Sequence, residues 1–290
     1  MNNKQNLDKL KYIISGVMFG TIGTFLRFTT VPSDVVVFWR GCLGSILVIC
    51  YLTFIKRTRI DWGAVKNNAL WLVLSGITLG INWIVLFFAY DRISIAVASL
   101  CNYTAPIIFI IVAPLLLGEK LNIKKIPCII VAFIGIVMVI GIGDVRVTSV
   151  SGLLFAFAAA LCFVFILICN RKIHDIGSLD KTFVQLAISA ITVFPYVMAR
   201  HHTVFIPADT RSILIVLMLG LVHTGIGYIF YFIGIGGLPV QSVAILGYLE
   251  PVVAVFCSAF ILHEPTMAFT WIGAALVIGS AIVSELIPDN

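Results

Sequence analysis

Residues 103–120, YTAPIIFIIVAPLLLGEK, and residues 248–265, YLEPVVAVFCSAFILHEP, are two apolar stretches that share their punctuation. A shift of 145 residues lays Tyr103 on Tyr248, Pro106 on Pro251 and Glu119 on Glu264. Upstream, with no gap, the same shift lays Leu74 on Leu219, Gly80 on Gly225, Ile81 on Ile226 and Phe87 on Phe232. Leucine matches alone mean little in an apolar chain. Matched tyrosine, proline and glutamate at one offset mark an internal repeat.

The chain around these stretches is 61% hydrophobic and 11% charged over 290 residues, with a mean hydropathy of +1.12. Soluble domains carry roughly 25% charged residues. A membrane-spanning helix needs about 20 mostly apolar residues. Ten such runs are read at 12–31, 35–55, 69–90, 95–117, 125–143, 151–170, 181–199, 212–234, 240–262 and 267–287. The connections are too short to hold a soluble domain. The two halves, 1–145 and 146–290, take five runs each, and an odd number inverts the second half relative to the first. The expected fold is an all-α integral membrane protein of ten transmembrane helices, arranged as two inverted-topology five-helix repeats. Inverted repeats related by an axis in the membrane plane are a recurrent build of secondary transporters. Two similar halves of opposite orientation can exchange conformations, so that a mid-membrane site opens alternately to either side.

The net charge of +6 is distributed by side rather than by patch. With the N-terminus inside, inner segments hold Lys4, Lys9, Lys11, Lys56, Arg57, Arg59, Lys66, Lys120, Lys124, Lys125, Arg171, Lys172 and Lys181, which is 13 of the 19 basic residues. Outer loops hold only Arg92, Arg146, Arg200 and Arg211. Cytoplasmic loops carry the excess of Lys and Arg, so both termini are expected on the cytoplasmic side of a bacterial-type plasma membrane. No nucleic-acid partner is implied. The first apolar run is long and lacks a small-residue cleavage site, so it reads as a retained helix. The seven cysteines lie within apolar segments and are odd in number, which argues against a disulfide framework. No metal spacing, nucleotide loop or nucleophile–base motif is present, so neither a cofactor nor an enzyme is expected.

The two quoted stretches, each followed by another apolar helix, resemble the EamA-like branch of the drug/metabolite transporter superfamily. The resemblance covers essentially the whole chain, and its most specific element is the Pro-to-Glu spacing of 13 in both halves, 106 to 119 and 251 to 264. It implies ten helices in two inverted repeats, alternating access, and transport of small metabolites, often the export of amino acids. By position it implies that Pro106 and Pro251 are the repeated prolines, and that Glu119 and Glu264 are acidic residues at helix ends that act in gating or packing. Glu250 matches an acidic residue before the second proline. Ala105 stands at the corresponding place in the first half, so the halves are not equivalent. Amino acids are the leading substrate expectation. Organic cations such as choline are the alternative, and a channel or membrane-embedded enzyme is the other class.

Glu250 lies about eleven residues into its span. A charge at the bilayer centre costs about 2.5–3.5 kcal/mol on insertion scales, which the surrounding Val, Leu, Ile and Phe residues offset at about 0.3–0.6 kcal/mol each. It reads either as a proton-coupling or cation-binding carboxylate, or as a hydrogen-bonded residue tying helices together. Pro251 and Pro106 free the carbonyls of Gly247 and Asn102, which a neighbour or a cavity must satisfy. His223, Gly227 and Tyr231 follow i, i+4, i+8; Thr78, Asn82 and Leu86 hold matching positions on the third span; Ser99, Asn102, Tyr103 and Pro106 share a face of the fourth. Tyr248 and Glu250 point about 200° apart on an ideal helix, and Tyr248, which matches Tyr103, is expected to face the cavity. His223 reads either as a packing residue or as a group that titrates near neutral pH. Trp83, Tyr90, Tyr228 and Tyr231 are placed to box a cationic group. Arg40, the repeat counterpart of Gln185, either snorkels outward or binds a carboxylate. The expected binding set is therefore Asn82, Trp83, Ser99, Asn102, Tyr103, His223, Tyr228, Tyr231 and Tyr248, with Arg40 and Glu250 for charge pairing or coupling. Gly16/Gly20 and Gly76/Gly80 read as close helix contacts. The partners expected are a small-molecule substrate and the lipid bilayer, with the proton as candidate coupling ion.

Overall fold

The computed structural model describes residues 3–90, 92–93, 98, 101–118, 122–140, 149–202, 209–263 and 267–287. Ser99, Glu119 and Glu264 lie outside the described residues, as does the side chain of Tyr90. The described residues are helical, with no strand among them. The helices are α1 Asn3–Leu26, α2 Ser33–Cys50, α3 Trp62–Asn67, α4 Ala69–Tyr90, α5 Ala105–Leu117, α6 Ile126–Ile140 and α7 Val150–Lys172. They continue with α8 Ser178–His201, α9 Thr210–Leu217, α10 Gly227–Gly237, α11 Val240–Gly247, α12 Leu249–Phe260 and α13 Ala268–Leu286.

Among the described residues, six helical stretches are long and apolar enough to cross a membrane: Ser33–Ile55, Ala69–Leu86, Val150–Lys172, Ser178–His201, Thr210–Gly237 and Val240–Cys257. Ala105–Leu117 and Ala268–Ser284 are shorter apolar helices. The helix α1 carries Lys4, Asp8, Lys9 and Lys11 in its first turns, so its apolar part is only the remainder.

Two of the long stretches are not uniform α-helix. Residues Tyr51–Ile55 extend α2 as a π-turn, and Met218–Ile226 join α9 to α10 in π-helical form. In the second, Thr224 Oγ1 donates to the carbonyl of Leu219 at 2.8 Å, the i−5 position. Such bulges are rare and concentrate at functional sites. Two other stretches break and restart. The helix α11 ends at Gly247 and α12 begins at Leu249, with Pro251 in its first turn; α5 likewise begins at Ala105 with Pro106 beside its start. Proline costs little there, because the first helical N–H groups have no intrahelical acceptor. The repeated prolines thus start helical segments rather than kinking their middles.

The helices pack in a recurring set of pairs. The main contacts are α4 with α7 and α8, α2 with α8 and with the π-helical stretch, α6 with α13, α1 with α10 and α12, and α5 with α7 and α11. Hydrogen bonds define the two ends of the bundle. At the upper end Thr30 reaches Ser212 and Asp209, and Asp34 takes His201 Nε2 at 2.8 Å. At the lower end Asn68 bonds the backbone of His174, Arg171 donates to Leu238 O, and Asn122 and Gln241 bond each other reciprocally.

Glycines set the tightest crossings. A Cβ on Gly76 would lie 2.7 Å from Ile188 Cβ, and one on Gly80 2.7 Å from Thr192 Cβ, so both members of this pair seat α8 against α4. A Cβ on Gly135 would meet Gly273 O at 2.7 Å, at the crossing of α6 and α13. The other pair divides. A Cβ on Gly20 would meet the carbonyl of Glu250 at 2.5 Å, whereas nothing lies within 4 Å of a Cβ on Gly16. Gly16 therefore lines space rather than a helix contact, which corrects the pairwise reading of Gly16/Gly20. Overpacking costs about 1–3 kcal/mol, so Gly80→Val is expected to lower the unfolding midpoint of the detergent-solubilised protein. Gly16→Ala is expected to stay within about 0.5 kcal/mol of the parent. Equal losses at both sites would contradict this assignment.

Candidate functional site

A cavity of about 440 Å³ opens among α1, α2, α4, α5, α7, α10, α11 and α12. Its wall includes Leu26, Ser33 and Leu86, which belong to the upper ends of their helices, while Tyr12, Leu167 and Val243 form its floor. Polar side chains gather at mid-depth, where Arg40, Asn82, Asn102, Tyr228, Tyr231 and Glu250 all line it.

Arg40 is only 8% exposed, so its position is dictated by partners. Its Nε donates to Thr224 Oγ1 at 2.8 Å, and its Cζ sits 5.8 Å from the centroid of the Trp83 ring. Thr224 in turn is held by the π-helical backbone through Leu219 O. The terminal guanidinium nitrogens have no hydrogen-bond partner among the described residues. A planar fork held at its Nε and against a ring presents its outer edge to whatever enters. Glu250 faces the same cavity, half-buried, with no hydrogen bond or ion pair to a described residue.

The neutral groups complete the wall. Asn82 donates through Nδ2 to Ala159 O at 2.8 Å, which anchors the side chain to α7. Asn102 Oδ1 and the Tyr231 hydroxyl are buried without a hydrogen-bond partner among the described residues. Nearly all buried polar atoms in proteins find one, so these two are unused hydrogen-bonding capacity beside the cavity, closed off in this conformation. Trp83 meets Tyr228 edge-on, with centroids 6.4 Å apart at 74°. Tyr12 and Phe19 of α1 pack on Tyr231 at 5.7 and 5.9 Å, closing the cavity from below with an aromatic layer.

Of the residues expected from sequence, the structure brings Asn82, Trp83, Asn102, Tyr103, Tyr228, Tyr231, Arg40, Glu250 and Pro106 to this one cavity. Two expectations are reversed. Tyr248 is fully buried away from the cavity among Ala132, Ile136, Val139, Val252, Ala274 and Val277, and its hydroxyl donates to Tyr103 O at 3.0 Å. Glu250, on the opposite side of the restarted helix, takes the cavity face in its place. His223 also leaves the cavity. The i→i+5 pattern of Met218–Ile226 breaks the assumed register with Tyr231, and His223 Nε2 instead lies 2.9 Å from Thr21 Oγ1, with its ring edge on Phe25. Gly227 lies against Phe19, 2.9 Å from where its Cβ would be. Pro251 is not part of the wall, and Gln185 bonds Ser75 and Asn170 away from it.

The reading from sequence omitted α1. Tyr12, Ser15, Gly16, Phe19, Gly20, Gly23 and Leu26 line the cavity at helical spacing. A stripe of glycine, serine and aromatics in an apolar helix is the signal that would have found them.

The two tyrosines separate packing from binding. Tyr248→Phe removes a made hydrogen bond and should cost about 0.5–1.5 kcal/mol. Tyr231→Phe removes a hydroxyl with no partner and should be neutral or slightly stabilising in the same unfolding measurement. A larger loss at Tyr231 than at Tyr248 would overturn this division.

Comparison with known proteins gives a consistent placement. The profile of the EamA-like transporter family matches the chain twice, over residues 10–141 and 150–285. An uncharacterized transporter of Bacillus subtilis (strain 168), YxxF, is 30% identical over 250 residues, covering 85% of this chain and 79% of that protein. The pseudopaline exporter CntI of Pseudomonas aeruginosa is 22% identical over 289 residues, covering 95% and 96%. A solved crystal structure superposes with a TM-score of 0.81 at 20% identity, over 96% of this chain and 97% of that one, which shows a shared fold. The chain belongs to the EamA-like transporter family and is a membrane transporter of that kind.

Proposed function

We propose that the protein is a secondary transporter that moves small zwitterionic metabolites, foremost amino acids, by alternating access between two inverted five-helix halves, residues 1–145 and 146–290. The observation that carries the substrate class is the presence of Arg40 and Glu250 in the wall of one cavity, each with hydrogen-bonding capacity that no described residue uses. A carboxylate suits the fork of Arg40, since Arg–carboxylate pairs are bidentate and charge-assisted. An ammonium suits Glu250, with Asn102 Oδ1 and the Tyr231 hydroxyl as further acceptors.

The organic-cation reading has its own support in the aromatic wall of Trp83, Tyr228 and Tyr231. Arg40 weighs against it, because its guanidinium already lies over Trp83 and would repel a second cation. The paired packing supports the inverted repeat. Exchanging the first five spans for the last five turns the α4–α7 contact into α1–α10, α4–α8 into α2 with the π-helical stretch, and α5–α7 into α1–α12, all of which occur. The distribution of Lys and Arg supports ten spans with both termini cytoplasmic, so that the cavity opens toward the outside. The relative named an exporter supports export as the direction. Glu250 is the candidate site for a coupling proton.

Thermal-shift measurements on the purified protein test the substrate class. A ligand at 100 times its dissociation constant stabilises the folded state by about 2.7 kcal/mol. Amino acids should shift the midpoint, and quaternary amines, sugars and nucleosides should not. Hydrogen bonds to charged groups are worth about 1.5–3 kcal/mol, so Arg40→Gln should weaken amino-acid binding roughly 10- to 100-fold. A shift with choline-like cations alone would replace this reading with the cation one. Counterflow in liposomes should saturate, and flux that does not saturate would indicate a channel.

A further inference from the structure

The part of α2 that faces the cavity presents Ser33, Val36, Val37 and Arg40. The 145-residue shift carries these four positions onto Ser178, Lys181, Thr182 and Gln185 of α8, all of them polar. In the structure none of the four lines the cavity; Ser178, at the start of the helix, is half-buried, and the other three are buried. Lys181 is 6% exposed, Thr182 0% and Gln185 1%.

The polarity of this face is not used up by its surroundings. Lys181 Nζ lies 3.5 Å from Phe232 O and 5.2 Å from the Phe232 ring centroid, and no carboxylate pairs with it among the described residues. Gln185 donates through Nε2 to Ser75 Oγ at 2.5 Å and to Asn170 Oδ1 at 3.3 Å, while its Oε1 is buried without a partner. A buried ammonium without an acid is expensive, and an ionisable group buried in a membrane bundle is by default a functional-site candidate. The face also lies directly beneath the cavity. Phe232, which touches Lys181, packs on Tyr228 and Tyr231 of the cavity wall with centroids 5.5 and 5.4 Å away.

We propose that the α8 face of Lys181, Thr182 and Gln185 is the second half of the permeation path, buried in this conformation and lining a cytoplasmic vestibule in the opposite one, with Lys181 as a station for an anionic group. The inference rests on the alternating-access reading. When two inverted halves exchange conformations, each segment takes over the place of its repeat counterpart, and the counterpart of this face lines the cavity now. Lys181 and Arg40 then serve one anionic group in turn, on either side of the aromatic layer.

Thiol labelling of the full chain in oriented membrane vesicles tests this. Val37→Cys and its repeat counterpart Thr182→Cys are each exposed to membrane-impermeant methanethiosulfonates, with the unsubstituted chain and its seven cysteines as background. Val37→Cys should react above background in right-side-out vesicles, and Thr182→Cys in inside-out vesicles. If Val37→Cys reacts and Thr182→Cys reacts from neither side, the α8 path is wrong and the transport reading stands. If neither reacts, the cavity is not a water-accessible path, and both fall. The anion station has a separate readout at Thr182→Cys. A fixed positive charge should raise the rate ratio of the sulfonate to the trimethylammonium reagent about tenfold over that of free cysteine. Lys181→Gln should abolish the bias and Lys181→Arg should keep it. A ratio equal to that of free cysteine with Lys181 in place would overturn the anion station.

Discussion

A guanidinium held at mid-depth in an apolar helical bundle is the constraint around which the site is arranged. Arg40 needs partners wherever it is buried, and it takes two: the hydroxyl of Thr224 and the face of Trp83. Each fixes a helix. Thr224 ties α2 to the π-helical stretch between α9 and α10, and Trp83 brings in α4. The remaining edge of the fork needs space, and that space is the cavity. Glu250 answers the charge from the opposite half of the chain. It reaches the cavity because the ninth apolar run breaks at Tyr248 and restarts with proline in its first turn.

The two halves share a plan but differ in chemistry. At matching positions stand Trp83 and Tyr228, both in the cavity wall and in ring contact with one another, and Tyr103 and Tyr248, joined by a hydrogen bond. These symmetric pairs sit where the halves meet. The charged positions depart from symmetry, with Arg40 against Gln185 and Glu250 against Ala105. Two halves with identical side chains would present the same surface in either orientation. Here the two halves offer the cavity different groups, a guanidinium from the first and a carboxylate from the second.

Close glycine contacts make the shared plan possible. Helices surrounded by lipid gain no hydrophobic drive toward one another, so association relies on tight packing of small residues. Gly76 and Gly80 let α4 and α8 meet at backbone distance, and Gly135 and Gly273 do the same for α6 and α13. Gly16 uses its missing side chain for the opposite purpose, leaving room inside the cavity.

By itself the sequence determined that the chain is helical and membrane-borne, that it repeats, and which polar residues were worth watching. Composition, the 145-residue offset and the rule against idle polar groups in apolar segments are local properties of the chain. They sufficed to nominate Arg40, Glu250, Asn82, Trp83 and the tyrosines. Only the tertiary structure decided which way each one turns. Helical spacing assumes an unbroken 3.6-residue repeat, and the chain departs from it in two decisive places. The π-helical stretch turns His223 to Thr21, and the break before Pro251 gives the cavity to Glu250 while Tyr248 packs against Tyr103. The contribution of α1 was hidden for a different reason: glycine, serine and aromatics carry no charge to attract notice. Their stripe acquires meaning only when α10 and α12 pack against it.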